Sequence, residues 1–218
     1  MSNGSFTVAI VNLSSSVADA DIQAALHDLQ AQVGEDFAPL WGGPDAVLAF
    51  RAPNSGDWVL RVEDDSTVQG ALGFHELAND VPTAHVFART AQRSGVDWRI
   101  TTSHELLEML ADPRTNMAVV VDTSTNGDGT QGRLYMAEAC DAVEQSSYQK
   151  GSTPVSDFVT PAWFDPSAPA GSRFDFLNQL SAPLTLLPGG SYIGVLDFRS
   201  TRGWQQETAQ TTPEAASK

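Results

Sequence analysis

Residues 101–113, TTSHELLEMLADP, combine one histidine and two glutamates at spacings that suit a metal site. His104 and Glu108 are four positions apart, so on an α-helix they share one side and can bind the same ion. Glu105 lies about 100° further round the helix, where it could act as a general base. The spacing therefore predicts a short active-site helix over residues 103–111, which ends before an Asp-Pro pair.

The glutamate at position 108 distinguishes this pattern, HExxE, from the zinc-peptidase pattern HExxH. A glutamate oxygen can bind zinc, but a carboxylate in place of an imidazole makes the site harder and more negative. Zinc is the expected cofactor, and Ca, Mn or Mg are the alternatives. The competing interpretation is an ordinary surface helix on which the histidine and both glutamates are solvated.

A second acidic group, EACDAVE, occupies residues 138–144. A helix-based metal site is completed by a ligand from a separate element. Glu138 and Asp141 are the available oxygen donors, and the spacing does not choose between them. The sequence predicts that one of these acids is a further metal ligand.

SHELLEMLADP followed by EACDAV resembles a group of largely uncharacterised bacterial and phage-encoded proteins that combine HExxE with a downstream ExCD. More loosely, the chain is similar to zincin-like metallopeptidases. The resemblance continues through QVGEDFAPLWG, GFHEL, PTAHVFA, VSDFVTPAWF and LPGGSY, and it covers most of residues 6–204.

The resemblance implies a zincin-like domain with a peptidase-like site. His104 and Glu108 match the metal-binding positions of the helix, and Glu105 matches the catalytic base. Glu138 or Asp141 matches the downstream acidic motif.

Two further residues are candidate substrate contacts. His75, in GFHEL, could contact the substrate or an oxyanion, or it could be a strand or loop residue without a role. Tyr192, after PGG, could polarise a carbonyl group or could simply pack. The stretch TAHVFA, residues 83–88, is the candidate sheet-edge strand that would align an extended peptide by backbone hydrogen bonds.

The composition excludes some classes of function. Twelve Lys and Arg residues against 27 Asp and Glu give the 218-residue chain a net charge of −15, which argues against binding to nucleic acid or to anionic membranes. The single cysteine, Cys140, cannot form an internal disulfide. No signal peptide or membrane span is recognisable, so a cytoplasmic or virion-associated location is expected.

The pattern of elements predicts an α+β fold with a twisted mixed sheet, an N-terminal helix and a loop-rich C-terminal part. FTVAIVNL, residues 6–13, is a predicted strand, and the helix that follows has a possible capping box from Ser16 to Asp19. NMAVVVDT and RLYMAEACDAVE are predicted strands joined by the turn-forming STNGDGTQG. We expect one domain over residues 1–204 and a disordered polar tail over 205–218.

Two functions follow from these observations. The first is a metal-dependent hydrolase that acts on a peptide or protein substrate. The second is a non-catalytic structural or accessory protein, for example a phage virion component, in which the same ion stabilises the fold. A weaker third possibility is a binding module that recognises a peptide by strand addition.

Overall fold

The computed structural model describes residues 5–42, 45–122, 124, 131–189 and 191–209. Strands and helices are mixed along these residues, which confirms the predicted α+β class. The elements, in chain order, are β1 (Phe6–Asn12), α1 (Asp19–Ala31), a π-helical segment (Gln32–Phe37), α2 (Ala38–Trp41), β2 (Ala46–Phe50), β3 (Trp58–Glu63), β4 (Gly73–Ala78), β5 (Val81–Phe87), α3 (Ala88–Arg93), α4 (Trp98–Ala111), β6 (Ala118–Asp122), β7 (Gly132–Met136), a 3₁₀ helix (Asp141–Val143), β8 (Ser147–Lys150), β9 (Thr153–Ser156), a 3₁₀ helix (Pro161–Phe164), β10 (Tyr192–Asp197) and β11 (Gln205–Thr208).

The chain divides into two compact units. The first comprises Met1–Asn116 and Ser147–Ser156, and the second comprises Met117–Ser146 and Asp157–Lys218. The single domain expected over residues 1–204 stays a prediction.

The first unit contains a five-stranded sheet in the order β2-β1-β3-β5-β4. Four of its strands run parallel, and β4 runs antiparallel to β5 at one edge. Ile10, Leu60 and Val86 are buried at its centre, as expected for the apolar runs of parallel strands. Helix α1 packs on β2, while α4 packs on β4, β5 and the two-stranded β8–β9 sheet.

Helix α1 begins at Asp19, with Ala18 at the N-cap position, and not at the predicted Ser16. The serines at positions 14 to 16 are occupied elsewhere, because their hydroxyl groups donate hydrogen bonds to the carboxylate of Asp64 just after β3. A serine side chain that is directed toward Asp64 is not in position to cap the start of α1.

The edge strands of the five-stranded sheet are β2 and β4, and the prediction that TAHVFA forms an edge is wrong. TAHVFA belongs to β5, which pairs with β3 on one side and β4 on the other. The buried Thr83, Ala84 and Val86 suit a strand that is enclosed between two neighbours. Residues 73–78, which carry GFHEL, form the edge next to β5.

A two-residue turn joins β4 to β5. Asn79 and Asp80 have φ angles of 51° and 62°, the positive values that a type I′ hairpin turn requires at both central positions. The turn fixes the pairing register, in which His75 lies opposite Ala84.

The second unit contains an antiparallel sheet in the order β11-β10-β7-β6. The predicted hairpin strands pair as β6 and β7, and most of the predicted turn between them lies outside the described residues. Phe158, Trp163 and Ile193 are fully buried in this unit. Much of its remaining chain is loop, as expected for the C-terminal part.

The prediction of a disordered polar tail from residue 205 is wrong for its first residues. Gln205–Thr208 form β11 and pair with β10, and the guanidinium group of Arg133 donates hydrogen bonds to Glu207. Hydrogen bonding to a neighbouring strand orders these polar residues, although their composition alone does not favour a strand. Residues 210–218 lie outside the described ranges.

None of the helices in the described ranges has both the length and the hydropathy that a membrane span requires.

Candidate metal centre

Helix α4 presents the predicted active-site motif. The helix begins at Trp98, five positions before the predicted start at residue 103, because the side chain of Asp97 caps it by accepting a hydrogen bond from the Arg99 amide. It ends at Ala111, immediately before the Asp-Pro pair, as the sequence predicts.

A closed ring of hydrogen bonds holds α4 in place through Ser103, the residue before His104. The Ser103 hydroxyl donates to Gln32 Oε1 (2.7 Å), and Gln32 Nε2 donates to the Ser156 carbonyl oxygen (2.9 Å). The Ser156 amide donates back to the Ser103 hydroxyl oxygen (3.0 Å). All three residues are fully buried. The ring therefore joins α4 to the π-helical segment and to β9 within the first unit.

Helical spacing brings His104 and Glu108 together. His104 Nε2 lies 3.3 Å from Glu108 Oε2, as their separation of four residues requires. The ten residues from Thr101 to Leu110 are all buried, so the surface-helix interpretation does not describe this helix. The ligand roles of His104 and Glu108 stay predictions.

The edge strand β4 adds a second imidazole to the cluster. His75 Nδ1 lies 3.8 Å from Glu108 Oε2 and 3.9 Å from Glu105 Oε2. His75 is a candidate substrate contact on the sequence, and the structure places it beside both glutamates of the helix. The substrate role of His75 stays a prediction.

Gly73 makes space for the carboxylate of Glu105. A Cβ atom at position 73 would lie 2.6 Å from Glu105 Oε1 and 2.7 Å from Glu105 Cγ. It would also lie 2.7 Å from the backbone oxygen of His85, which cannot move aside easily. Side chains alternate along a strand, so Gly73 and His75 share the face of β4 that meets α4. Phe74 lies on the other face, where its ring stacks on His85 with the centroids 4.6 Å apart.

The cluster is buried. The residues His104, Glu105 and Glu108 are 9%, 5% and 4% exposed, and the side chain of His75 is 5% exposed. Two carboxylates at such depth carry a large desolvation cost, which a bound cation would offset.

Burial lowers the pKa of His75 below its ordinary value, and His104 acts in the same direction. Glu108 and Asp112 oppose this shift without reversing it. The imidazole is therefore neutral at pH 7, which is the form that binds a metal ion.

The donor atoms have spacings that fit a bound ion. Metal bonds to nitrogen and oxygen are about 2.0–2.2 Å long, so two donors of one ion lie about 3.3–4.2 Å apart. The separations of 3.3, 3.8 and 3.9 Å fall within this range. Nitrogen and carboxylate oxygen donors suit zinc and manganese, so His75, His104, Glu105 and Glu108 are the residues of the first unit that could hold a metal.

The other predicted site residues belong to the second unit. Asp141 is buried and begins a 3₁₀ helix, and Glu138 is half-buried in the segment between β7 and that helix. Tyr192 is the first residue of β10 and pairs with Thr208. The ligand role of Glu138 or Asp141 and the substrate role of Tyr192 stay predictions.

The sequence alone indicates neither the role of Gly73 nor the position of His75 at the metal site. Both residues reach the cluster through the pairing of β4 with β5, which has no fixed spacing relative to the HExxE motif. The one sequence signal is the alternation of glycine and histidine in GFHEL, which places both on one face of a strand.

No family model, curated protein or solved structure matches this chain.

Proposed function

We propose that the protein is a metal-dependent hydrolase of the peptidase type, with zinc as its expected metal and Mn, Mg or Ca as alternatives. The observation that carries the proposal is the buried group of two imidazoles and two carboxylates on α4 and β4. His75 adds a second imidazole beside the HExxE motif, which itself contains one. The predicted acid at Glu138 or Asp141 is the proposed further ligand.

The proposed reaction is the hydrolysis of a peptide or related acyl bond. A divalent ion bound at the cluster would acidify a water molecule and polarise the substrate carbonyl. Glu105 then accepts the proton of the attacking water and returns it to the leaving amine, as the carbon–nitrogen bond breaks and a carbon–oxygen bond forms. The absence of a side chain at Gly73 leaves the space that the Glu105 carboxylate occupies.

A zincin-like arrangement is part of the proposal. Support comes from the position of β4, which runs antiparallel at the edge of a mainly parallel sheet and contacts the helix that carries the motif. Among the described residues, no strand pairs with the outer side of β4, so an extended peptide could pair with it beside His75. Tyr192 remains the second candidate substrate contact.

Assay of the purified full chain tests the proposal. The chain, freed of metal with a chelator, is incubated with quenched peptide and ester substrates in the presence of Zn²⁺, Mn²⁺, Mg²⁺ or Ca²⁺. We expect hydrolysis that requires one of these ions and stops when the chelator is restored. Hydrolysis that is indifferent to the chelator would refute the proposal.

The burial of His104, Glu105 and Glu108 also favours a second candidate, a metal that stabilises the fold without catalysis. This alternative predicts that metal raises the melting temperature while no substrate is turned over at any ion concentration. Metal-dependent turnover would exclude it.

A further inference from the structure

The carboxylate of Glu108 is shared by two imidazoles that come from different elements. Glu108 Oε2 lies 3.3 Å from His104 Nε2 on α4 and 3.8 Å from His75 Nδ1 on β4. Both separations fit two donors of one ion. Glu108 can therefore join a metal position with either ring.

One ion does not account for both imidazoles. Two nitrogen atoms bound to one ion lie at most about 4.2 Å apart, which is twice a metal–nitrogen bond. The donor atoms of His75, Glu105 and Glu108 all lie within 4.8 Å of one another. Among the described residues, His104 does not join His75 in such a group. The rings therefore define two positions that have Glu108 in common.

We propose that this cluster binds two divalent cations, bridged by the Glu108 carboxylate. One cation is bound at His75 and Glu108, beside Glu105, and the other is bound at His104 and Glu108. The inference deepens the proposed function and rests on its metal site. A net charge of −15 on the chain favours the collection of a second cation.

A pair of ions extends what the site can do chemically. Two metal ions about 3.5–4 Å apart stabilise the attacking and the leaving oxygen of a hydrolytic reaction together. A bridging carboxylate holds two ions at such a spacing. Here the shared residue Glu108 would set the distance between the ions. The ions expected are those that accept mixed nitrogen and oxygen donors, namely Zn²⁺ and Mn²⁺.

Metal stoichiometry tests this inference independently of activity. The full chain is stripped with a chelator, equilibrated with Zn²⁺ or Mn²⁺ in excess Mg²⁺ to suppress weak surface binding, and dialysed before elemental analysis. We expect two Zn²⁺ ions per chain. The Mn²⁺ form should give the electron paramagnetic resonance spectrum of an exchange-coupled pair, and not the six-line spectrum of isolated Mn²⁺.

Histidine variants assign the two positions. We expect His75→Gln and His104→Gln each to lower the stoichiometry from two to one and to restore the six-line Mn²⁺ spectrum. His27→Gln is the matched control, since His27 is exposed on α1, and it should retain both ions. Circular dichroism confirms that each variant is folded. Glu108→Gln should weaken both positions, but the histidine variants decide the question even if that variant fails to fold.

The possible outcomes separate this inference from the proposed function. One ion per chain, abolished by either His75→Gln or His104→Gln, would overturn the paired site and leave a single-metal hydrolase. Two ions that depend on His27 would also overturn it. No bound metal would overturn both proposals, whereas two ions without any hydrolysis would support the paired site and refute the hydrolase.

Discussion

Gly73 and Glu105 are packed so closely that the glycine position has no room for a side chain. The Glu105 carboxylate occupies the space in which a Cβ atom of residue 73 would lie, and the backbone of His85 closes that space from another side. The edge strand therefore determines where the predicted base of α4 can sit.

Replacement of this glycine is the first prediction. Gly73→Ala should displace Glu105, lower the free energy of unfolding by about 1–3 kcal/mol through overpacking, and weaken metal binding. Thermal unfolding and metal titration provide the measurements. Gly34→Ala is the matched control because nothing lies within 4 Å of its added Cβ. Equal behaviour of the two variants would contradict the packing argument.

The variant Glu105→Gln distinguishes a general base from a metal ligand at this position. If Glu105 accepts the proton, the variant keeps its bound metal and loses activity by about 10²–10⁴-fold, the usual contribution of general base catalysis. Steady-state rates and elemental analysis of the same sample provide the comparison. Glu76→Gln, on β4 and with a half-exposed side chain, is the control and should leave both quantities unchanged. A Glu105→Gln variant that loses metal would reassign this residue as a ligand.

The hydrogen-bonded ring of Ser103, Gln32 and Ser156 should stabilise the placement of α4. Ser103→Ala leaves the buried Gln32 oxygen and the Ser156 amide without this partner, so we expect a loss of about 1–3 kcal/mol in the free energy of unfolding. Chemical denaturation measures the loss. Ser55→Ala, at an exposed position, is the control and should change stability by less than about 0.5 kcal/mol.

The buried pair Asp157 and Asp175 predicts a dependence of stability on pH. The pKa of Asp157 is raised to about 7, chiefly by burial and also by the neighbouring Asp175, while hydrogen bonds from Phe158 and Ser146 oppose the shift. The folded state therefore binds this proton more tightly than the unfolded state, in which the pKa is about 4. The stability contributed by the protonated Asp157 is fully present below about pH 4 and is lost as the pH rises to about 7.

Asp157→Asn should remove this contribution to the slope of the free energy of unfolding against pH. The contribution of one proton to that slope is at most about 1.4 kcal/mol per pH unit. The measurement is the difference in the free energy of unfolding between the native chain and the variant at several pH values. The variant should gain stability relative to the native chain as the pH rises from 4 to 7. A difference that stays constant over this range would contradict the raised pKa.

The downstream acids are tested by Asp141→Asn and Glu138→Gln. If one of them is the ligand predicted from the sequence, its variant should bind metal at least about tenfold more weakly, since a lost ligand costs no less than a lost outer-shell partner. Isothermal titration with Zn²⁺ measures the affinity. Glu144→Gln, in the same segment, is the control. Unchanged affinity in both test variants would remove these acids from the site.

The sequence predicted the parts of this site that depend on local geometry. Helical periodicity alone placed His104 beside Glu108, and the Asp-Pro pair set the end of α4. The contribution of His75 depends on which strand forms the edge of the sheet, and propensity does not determine strand order. Thr101 to Leu110 illustrate the same limit, because the sequence left open a surface helix with solvated acids, whereas tertiary packing buries all ten residues.

The fold was predictable to a similar depth. Alternating apolar runs gave the α+β class and the β6–β7 pair, since these depend on short-range patterns. The strand at Gln205–Thr208 was missed because its order comes from pairing with β10 and from Arg133, and not from its own residues.

The two-residue Asn79–Asp80 turn lies outside the HExxE motif, but its length matters for the metal site. Because successive strand residues face opposite ways, the gain or loss of a single residue in β4 or in this connection would turn the ring of His75 toward Phe74's side of the sheet. Such a change would dismantle the cluster while every acid and imidazole remained encoded. Among relatives of this chain, the length of that hairpin should therefore be as informative about retained metal binding as the identity of the ligands themselves.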